Sequence, residues 1–175
     1  MIKYIISDLH RYTGKNDFFS FINIYFSNIF FRYVFWYRVS KCKNKFLSCF
    51  SSIIKSSLSK KTGIQISRKV NIGYGLYIPH GYVIINSTAV LGNNITLCQF
   101  TTIGSIKQSA ATLENNIYIS PNVTIVENVK IGSNVVIGAN SFVNKDLNCD
   151  STYGGVPVRV IKSDTKGLVK NKFTF

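Results

Sequence analysis

The stretch Leu113-Glu-Asn-Asn-Ile117-Tyr-Ile119-Ser-Pro-Asn-Val123-Thr-Ile125-Val-Glu-Asn-Val129-Lys-Ile131-Gly-Ser-Asn-Val135-Val-Ile137-Gly-Ala-Asn-Ser141-Phe-Val143 decides the fold. Aliphatic side chains fall at Leu113, Ile119, Ile125, Ile131, Ile137 and Val143, every sixth position. A second small or branched residue sits four later, at Ile117, Val123, Val129, Val135 and Ser141. An amphipathic helix repeats its apolar face every three or four residues and a half-buried strand every two, so neither sustains a period of six. A coil of short strands with a corner every six residues does, because each inward aliphatic stacks on its equivalent in the next coil. The same beat runs earlier through Ile85, Leu91, Leu97 and Ile103, and before that through Ile66, Ile72 and Ile78. Gly73, Gly92, Asn93, Asn94, Asn115, Asn116, Gly132, Asn134, Gly138 and Asn140 fall at the turns, where they read as residues that tolerate a left-handed backbone.

The beat breaks twice. From Ile78 to Ile85 the step is seven, which places one extra residue beside His80. From Ile103 to Leu113 it is ten, which makes residues 105–112 an excursion from the coil. A repeat array needs its core period to fold, so its interruptions are where function concentrates.

Composition divides the 175 residues into regions. Residues 1–60 hold 15 of the 24 aromatics and ten Lys/Arg against two acids, whereas the sequence beyond Gly63 is rich in Ile, Val, Gly and Asn. The division predicts an aromatic, basic helical head at 1–62, a β-rich body at 63–163 and a basic tail at 164–175. In the head, the pattern predicts two helices broken near Ser27-Asn28, the second running toward Lys60 and stopped by Gly63. The formal charge of +14 calls for anionic partners. No helix-turn-helix, RRM or zinc-finger pattern accompanies it, so a nucleic-acid-binding protein is a remote alternative and no nucleic acid is expected. Cys42, Cys49, Cys98 and Cys149 form no C-x-x-C pair and the chain has two histidines, so no metal site and no disulfide framework are expected. The apolar start is broken by Asp8 and shows no cleavage site, which reads as a protein kept in the cytoplasm.

Ile72-Gly-Tyr-Gly-Leu-Tyr-Ile-Pro-His80, the run Asn86–Gly104, Ile137-Gly-Ala-Asn-Ser141 and Gly154-Gly-Val-Pro-Val-Arg159 resemble the hexapeptide-repeat acyltransferases, within them the serine acetyltransferase branch and its relatives in polysaccharide O-acetylation. The resemblance covers roughly residues 64–163. It implies a left-handed parallel β-helix with three hexads per coil, assembled as a homotrimer, that transfers acetyl from acetyl-CoA to a hydroxyl.

His80 is the expected general base. A hydroxyl attacks a thioester well only when its proton is removed, and imidazole titrates near neutrality. The resemblance matches His80 to the family's catalytic histidine; it is also the body's only histidine and lies at the extra residue. Counting hexads puts Gln99 above His80 one coil along, then Pro121, then Ala139. The small Ala139 leaves a groove of the kind the family uses for the CoA arm, so Pro121 and Ala139, with Gly104 and Ser105, form the expected cofactor set, and Gln99 is a candidate substrate-binding residue. By the same resemblance Arg159 and Lys162 lie near the CoA phosphates, where a cation forms charge-assisted contacts.

Three departures bear on the acceptor. The carboxylate that the serine enzymes place one coil before the base is Gln65, the acid just before the base is Pro79, and no histidine occurs in the excursion. A desolvated amino acid needs charged partners, so a sugar hydroxyl of a surface polysaccharide is the expected acceptor and L-serine the alternative. Tyr74, Tyr77 and Tyr82 flank His80 and offer a flat surface for a sugar. Ser7-Asp-Leu-His-Arg-Tyr-Thr-Gly14 resembles the opening of the polysaccharide branch, so Asp8 and Asp17 enter as candidate substrate-binding acids, Asp17 competing with a role at a helix N-terminus. A non-catalytic scaffold and Cys98 as an acyl nucleophile are the remaining alternatives.

Residues 18–37 are long enough to span a bilayer, but Asn23, Asn28 and Arg32 interrupt them. The head's aromatic face is expected to cap the coil, with peripheral contact at the inner face of the membrane compatible with that role.

Overall fold

The computed structural model describes residues 1–107, 109–164 and 166–169; the expected tail at 164–175 falls largely outside them. Four helices come first: α1 (Ile2–Thr13), α2 (Phe18–Ser27), α3 (Ile29–Ser40) and α4 (Lys45–Thr62). The strands follow as β1 (Gln65–Ile66), β2 (Asn71–Ile72), β3 (Ile84–Ile85), β4 (Val90–Leu91), β5 (Thr96–Leu97), β6 (Thr102–Gly104) and β7 (Thr112–Leu113). Then come β8 (Tyr118–Ile119), β9 (Thr124–Val126), β10 (Lys130–Ile131), β11 (Val136–Ile137), β12 (Phe142–Val143), β13 (Thr152–Gly154) and β14 (Arg159–Lys162).

The strands form the three faces of a left-handed β-helix of about five turns. The first face stacks β1, β3, β6, β9 and β12; the second β2, β4, β7 and β10; the third β5, β8, β11, β13 and β14. Pairing is parallel until β14, which runs back antiparallel on β13. Ile85 pairs with Ile103, and Ile125 with Val143, eighteen residues apart in each case, which is three hexads. Every aliphatic on the six-residue beat is buried, from Ile66 to Val143. Each such side chain contributes about 1.5–3 kcal/mol of transfer free energy, repeated layer upon layer.

The corners use asparagine and glycine differently. Asn94, Asn116, Asn134 and Asn140 do adopt positive φ, near 60°. Their amides form rows: Asn94 Nδ2 donates to Asn116 Oδ1 (2.9 Å), Asn116 Nδ2 to Asn134 Oδ1 (3.0 Å) and Asn134 Nδ2 to Asp150 Oδ1 (2.7 Å). Gly73, Gly92, Gly132 and Gly138 are not left-handed, contrary to expectation. At the first three, close approach excludes a side chain: a Cβ on Gly92 would lie 2.3 Å from Glu114 O, and one on Gly132 2.6 Å from Cys149 Sγ.

The excursion is shorter than the expected 105–112. Ala110 and Ala111 are buried and Thr112 already pairs in β7, so the coil resumes there.

From Phe18 to Thr62 the head has three helices rather than the expected two, because the break at residues 41–44 was missed, and α1 precedes them. Gly14 ends α1 in a left-handed cap, and Asn44 caps a new helix by accepting from Leu47 N. The break at Asn28 and the stop at Gly63 fall where the sequence places them. Helix α3 seats on the open end of the coil. Tyr33, Val34 and Tyr37 join the coil's core; Tyr33 Oη accepts from Ile66 N (3.1 Å) and Tyr37 Oη donates to Val70 O (2.7 Å).

Candidate active site

The segment leading to His80 is braced by α1 and α3. Tyr12 Oη donates to Ile78 O (2.8 Å) and accepts from Ile78 N (3.0 Å). Burial pushes the Tyr12 phenol well up, which keeps its proton in place. Asp8 accepts from Leu76 N (2.8 Å) and pairs with Arg38, Nε to Oδ2 at 2.7 Å and Nη2 to Oδ1 at 3.1 Å. Arg38 also donates to Ile72 O and Gly73 O. Arg11 donates to Thr96 Oγ1 and lies over the Tyr77 ring, 5.5 Å from its centroid. The motif Asp8-Leu-His-Arg-Tyr12 thus docks the head on residues 72–78.

Asp8 is therefore corrected from a substrate ligand to a structural anchor: it is 1% exposed and fully engaged. Asp17 sits at the N-cap of α2, accepting from Ser20 N (2.9 Å) and Ser20 Oγ (2.7 Å), bonds that hold its carboxyl below the usual range. Those bonds give it the helix N-terminal role that the sequence set beside substrate binding.

His80 stands at the corner between the third and first faces. Tyr77 bridges Thr96 and Leu97 pairs with Ile119, which in turn pairs with Ile137, so Ile78, Leu97, Ile119 and Ile137 share one register. At the far side of the corner Tyr82, Phe100, Asn122 and Asn140 all take φ near 60°. Three residues, Pro79-His80-Gly81, connect the two rows in the first coil where later coils use two. The extra length is accommodated by Gly81, whose Cβ would meet Thr62 O at 2.0 Å. Tyr82 N donates to that same Thr62 O (2.9 Å), which ties the corner to the end of α4.

The His80 ring is exposed, with the edge of Phe30 from α3 at 6.4 Å between centroids. Among the described residues no carboxylate forms an ion pair with it. Gln65 lies exposed on β1, paired with Ile84. Gln99 holds the equivalent place in the next coil. Its Oε1 is buried without a hydrogen-bond partner among the described residues, an unfilled acceptor beside the imidazole's corner. Pro121 and Ala139 continue that corner, linked by Asn122 N to Gln99 O (2.9 Å) and Asn140 N to Pro121 O (3.1 Å).

The other expected cofactor residues lie elsewhere on the chain. Gly104 ends β6 and Ser105 turns the next corner, between the first and second faces. Glu127 holds that turn, accepting from Ser105 Oγ (3.0 Å) and from Ile106 N (3.4 Å). Arg159 and Lys162 flank β14, both exposed, with Lys162 beside a recess lined by Val136, Thr152 and Asp164. A single chain thus sets His80, Gln99, Pro121 and Ala139 along one corner and places Gly104 and Ser105 at another, while Arg159 pairs with Gly154, which stacks on Gly138 beside Ala139.

Cys98 is buried, and burial pushes its thiol up, with Tyr118 Oη 3.6 Å from Sγ. A thiol held protonated is a poor nucleophile, so the Cys98 alternative loses its chemistry. Among the described residues no group of three His, Cys, Asp or Glu side chains is placed to hold a metal ion.

Sequence reasoning missed Phe100. Its ring stacks on Tyr82, centroids 5.2 Å apart and planes within 20°, and both are more than half exposed. Counting back three from Ile85 and from Ile103 aligns these two, whereas the forward count from Ile78 and Leu97, which set Gln99 on His80, sets Phe100 on Gly81. Nothing local in the sequence signals Phe30 as a neighbour of His80, or Glu127 as the residue that holds the Ser105 corner.

Comparison with known proteins places the chain. The sequence pattern of the bacterial transferase hexapeptide (six repeats) matches residues 110–145. The serine acetyltransferase of Synechococcus elongatus is 39% identical over 105 residues, 57% of this chain and 43% of that protein. That of Bacillus licheniformis is 30% identical over 112 residues, 61% of this chain and 52% of that protein. The chain spans about half the length of these relatives. Neisseria gonorrhoeae serine acetyltransferase, solved in complex with serine, superposes with a TM-score of 0.77 at 25% identity, covering 92% of this chain and 69% of that one. The Brucella abortus enzyme, solved in complex with coenzyme A, has the same fold with a TM-score of 0.77 at 20% identity, covering 91% and 67%. With its period of six and its three stacked faces, the chain has the left-handed β-helix fold, carries the bacterial transferase hexapeptide pattern at residues 110–145, and is similar to serine acetyltransferases over about half their length.

Proposed function

We propose that this chain moves an acetyl group from acetyl-CoA to a hydroxyl, with His80 as general base and L-serine as the acceptor. The carrying observation is His80 itself: an exposed imidazole at the coil's one-residue slip, beside the unfilled Gln99 acceptor. The imidazole takes the hydroxyl proton as the oxygen attacks the thioester carbonyl. The C–S bond breaks, the sulfur leaves as thiolate and recovers a proton, and an ester and free CoA result. A donor group on the acceptor satisfies Gln99 Oε1. Gly104 and Ser105 occupy a different corner from His80, so a site using both draws them from a second copy, which supports the homotrimer. Arg159 and Lys162 are the cations proposed for the CoA phosphates.

Serine as acceptor rests on the named substrate of the relatives, and it replaces the sugar that the sequence alone favours. Loss of the base typically costs 10²–10⁴-fold in rate, so His80→Ala is expected to lower thiol release from acetyl-CoA by about that factor with the fold intact. Turnover near wild type would discard the mechanism.

One observation keeps a sugar as the second reading. Tyr82 and Phe100 are bulky residues in a left-handed conformation that is uncommon for them, and they gain little burial by it. Such a flat aromatic surface suits the apolar face of a sugar ring, and Gln65 and Pro79 supply no charge for an amino acid. Measuring kcat/KM for L-serine against a panel of nucleotide sugars and oligosaccharides separates the two. Serine is expected to exceed every saccharide; the reverse order moves the assignment to the sugar and leaves acetyl transfer standing.

A further inference from the structure

We propose that the head binds an anionic lipid surface through the outward faces of α2 and α4. Seven of the ten residues of α2 are apolar or aromatic, yet none of the ten is buried. Phe19, Ile22 and Phe26 fall at i, i+3 and i+7, one helical face, with Phe18 beside them, and Phe19 is 84% exposed. On α4, Phe46, Phe50 and Ile53 repeat the pattern at i, i+4 and i+7, and Phe46 is 84% exposed. The two faces are joined. Phe26 meets the edge of Tyr25 at 5.4 Å, Tyr25 Oη accepts from Trp36 Nε1 (3.0 Å), and Trp36 meets Phe50 at 6.2 Å. An exposed apolar surface of this kind marks an interaction site.

Charge identifies the occupant. From Phe18 to Leu113 the sequence has eleven Lys and Arg and no Asp or Glu. Lys43 and Lys45 stand exposed at the start of α4, next to Phe46. A second copy docked by the same face would bring Lys43 and Lys45 against their own equivalents, and the one acid beside that face, Asp17, is engaged as the N-cap of α2 by Ser20. An anionic bilayer supplies both the apolar depth and the opposite charge.

The helices lie on the surface and do not cross it. Among the described residues no single helix is long and apolar enough to span a membrane, and α2 and α3 meet at 112°. Helix α3 is committed to the coil through Tyr33, Val34 and Tyr37, so straightening the pair into a span would strip the coil of its cap. The bend at Asn28 turns α2 outward and leaves α3 seated. This placement does not depend on which acceptor the enzyme uses.

The test is sedimentation of the full chain with vesicles of phosphatidylcholine alone or mixed with phosphatidylglycerol, at low and high salt. Binding is expected to the mixed vesicles, to weaken with salt, and to fall by about tenfold or more in the Phe19→Ser, Phe26→Ser, Phe46→Ser, Phe50→Ser variant. Trp36, the chain's single tryptophan, reports independently: its emission should shift to the blue on adding mixed vesicles to wild type and stay fixed in the variant. Circular dichroism checks the fold, and single Phe19→Ser and Phe46→Ser variants carry the comparison should the quadruple one unfold. Absence of binding to mixed vesicles overturns the proposal. So does equal binding by variant and wild type, or a variant that changes only the oligomer's mass on centrifugation, which would assign the face to a second copy.

Discussion

The coil and the head meet between Ile64 and Ile78, and different forces hold the two sides of that boundary. In the coil each buried aliphatic rests on an equivalent one layer away, so the loss of one is shared with its neighbours. In the head the packing of Tyr33, Val34 and Tyr37 on the coil is joined by a few polar contacts between residues far apart in sequence: Asp8 to Arg38 and Leu76, Tyr12 to Ile78, Tyr33 to Ile66. The repetitive half spreads its stability over many small terms, and the irregular half concentrates it in a few large ones.

The largest expected effect is therefore in the head. Asp8→Ala leaves Arg38 buried without its counter-charge, and breaking a buried pair from one side costs about 3–5 kcal/mol. Denaturant unfolding should show that loss, with the segment before His80 loosened as well. A change under 1 kcal/mol would mean that the head's docking is as distributed as the coil's.

An alkaline titration probes the same boundary. Burial pushes the Tyr33 phenol up to about 12, above its ordinary 10. A raised folded-state value means that the stability held by the neutral phenol is complete below pH 10 and is lost as pH rises through 12. A shift of that size corresponds to an effect on the order of 2–3 kcal/mol once complete. Unfolding midpoints at rising pH should fall across this window, and fall less steeply in Tyr33→Phe. Identical slopes would remove Tyr33 from the boundary's account.

The smallest effect belongs to the coil. Ile125→Val, at a fully buried position, should cost about 0.5–1.5 kcal/mol by the same unfolding measurement. A cost equal to that of Asp8→Ala would erase the contrast between the two halves.

The same contrast explains what could be read without a structure. The six-residue beat from Ile66 to Val143 names the coil's core residue by residue, because stacking demands one aliphatic per layer per face. The slip at Pro79-His80-Gly81 is visible as a count. Asn94, Asn116 and Asn134 are legible as left-handed corners, whereas the need for Gly92 comes from a neighbouring strand's backbone and leaves no local mark. In the head, Asp8 and Arg38 lie thirty residues apart, and no period links them. That is why Asp8 read as a free acid and proved to be an anchor. The Phe100 ring beside Tyr82 was recoverable by counting, but the Phe30 edge near His80 depends on how α3 seats.

The row of amides running from Asn94 through Asn116 and Asn134 has a direction. Each Nδ2 donates forward, and the last donation lands on the carboxylate of Asp150, which when ionised has no proton to pass on. The row therefore terminates chemically where the strands terminate topologically, with β14 folding back on β13. A solenoid without such a stop presents a template on which another chain can polymerise end to end. In this molecule the final coil carries its own signal that growth is finished.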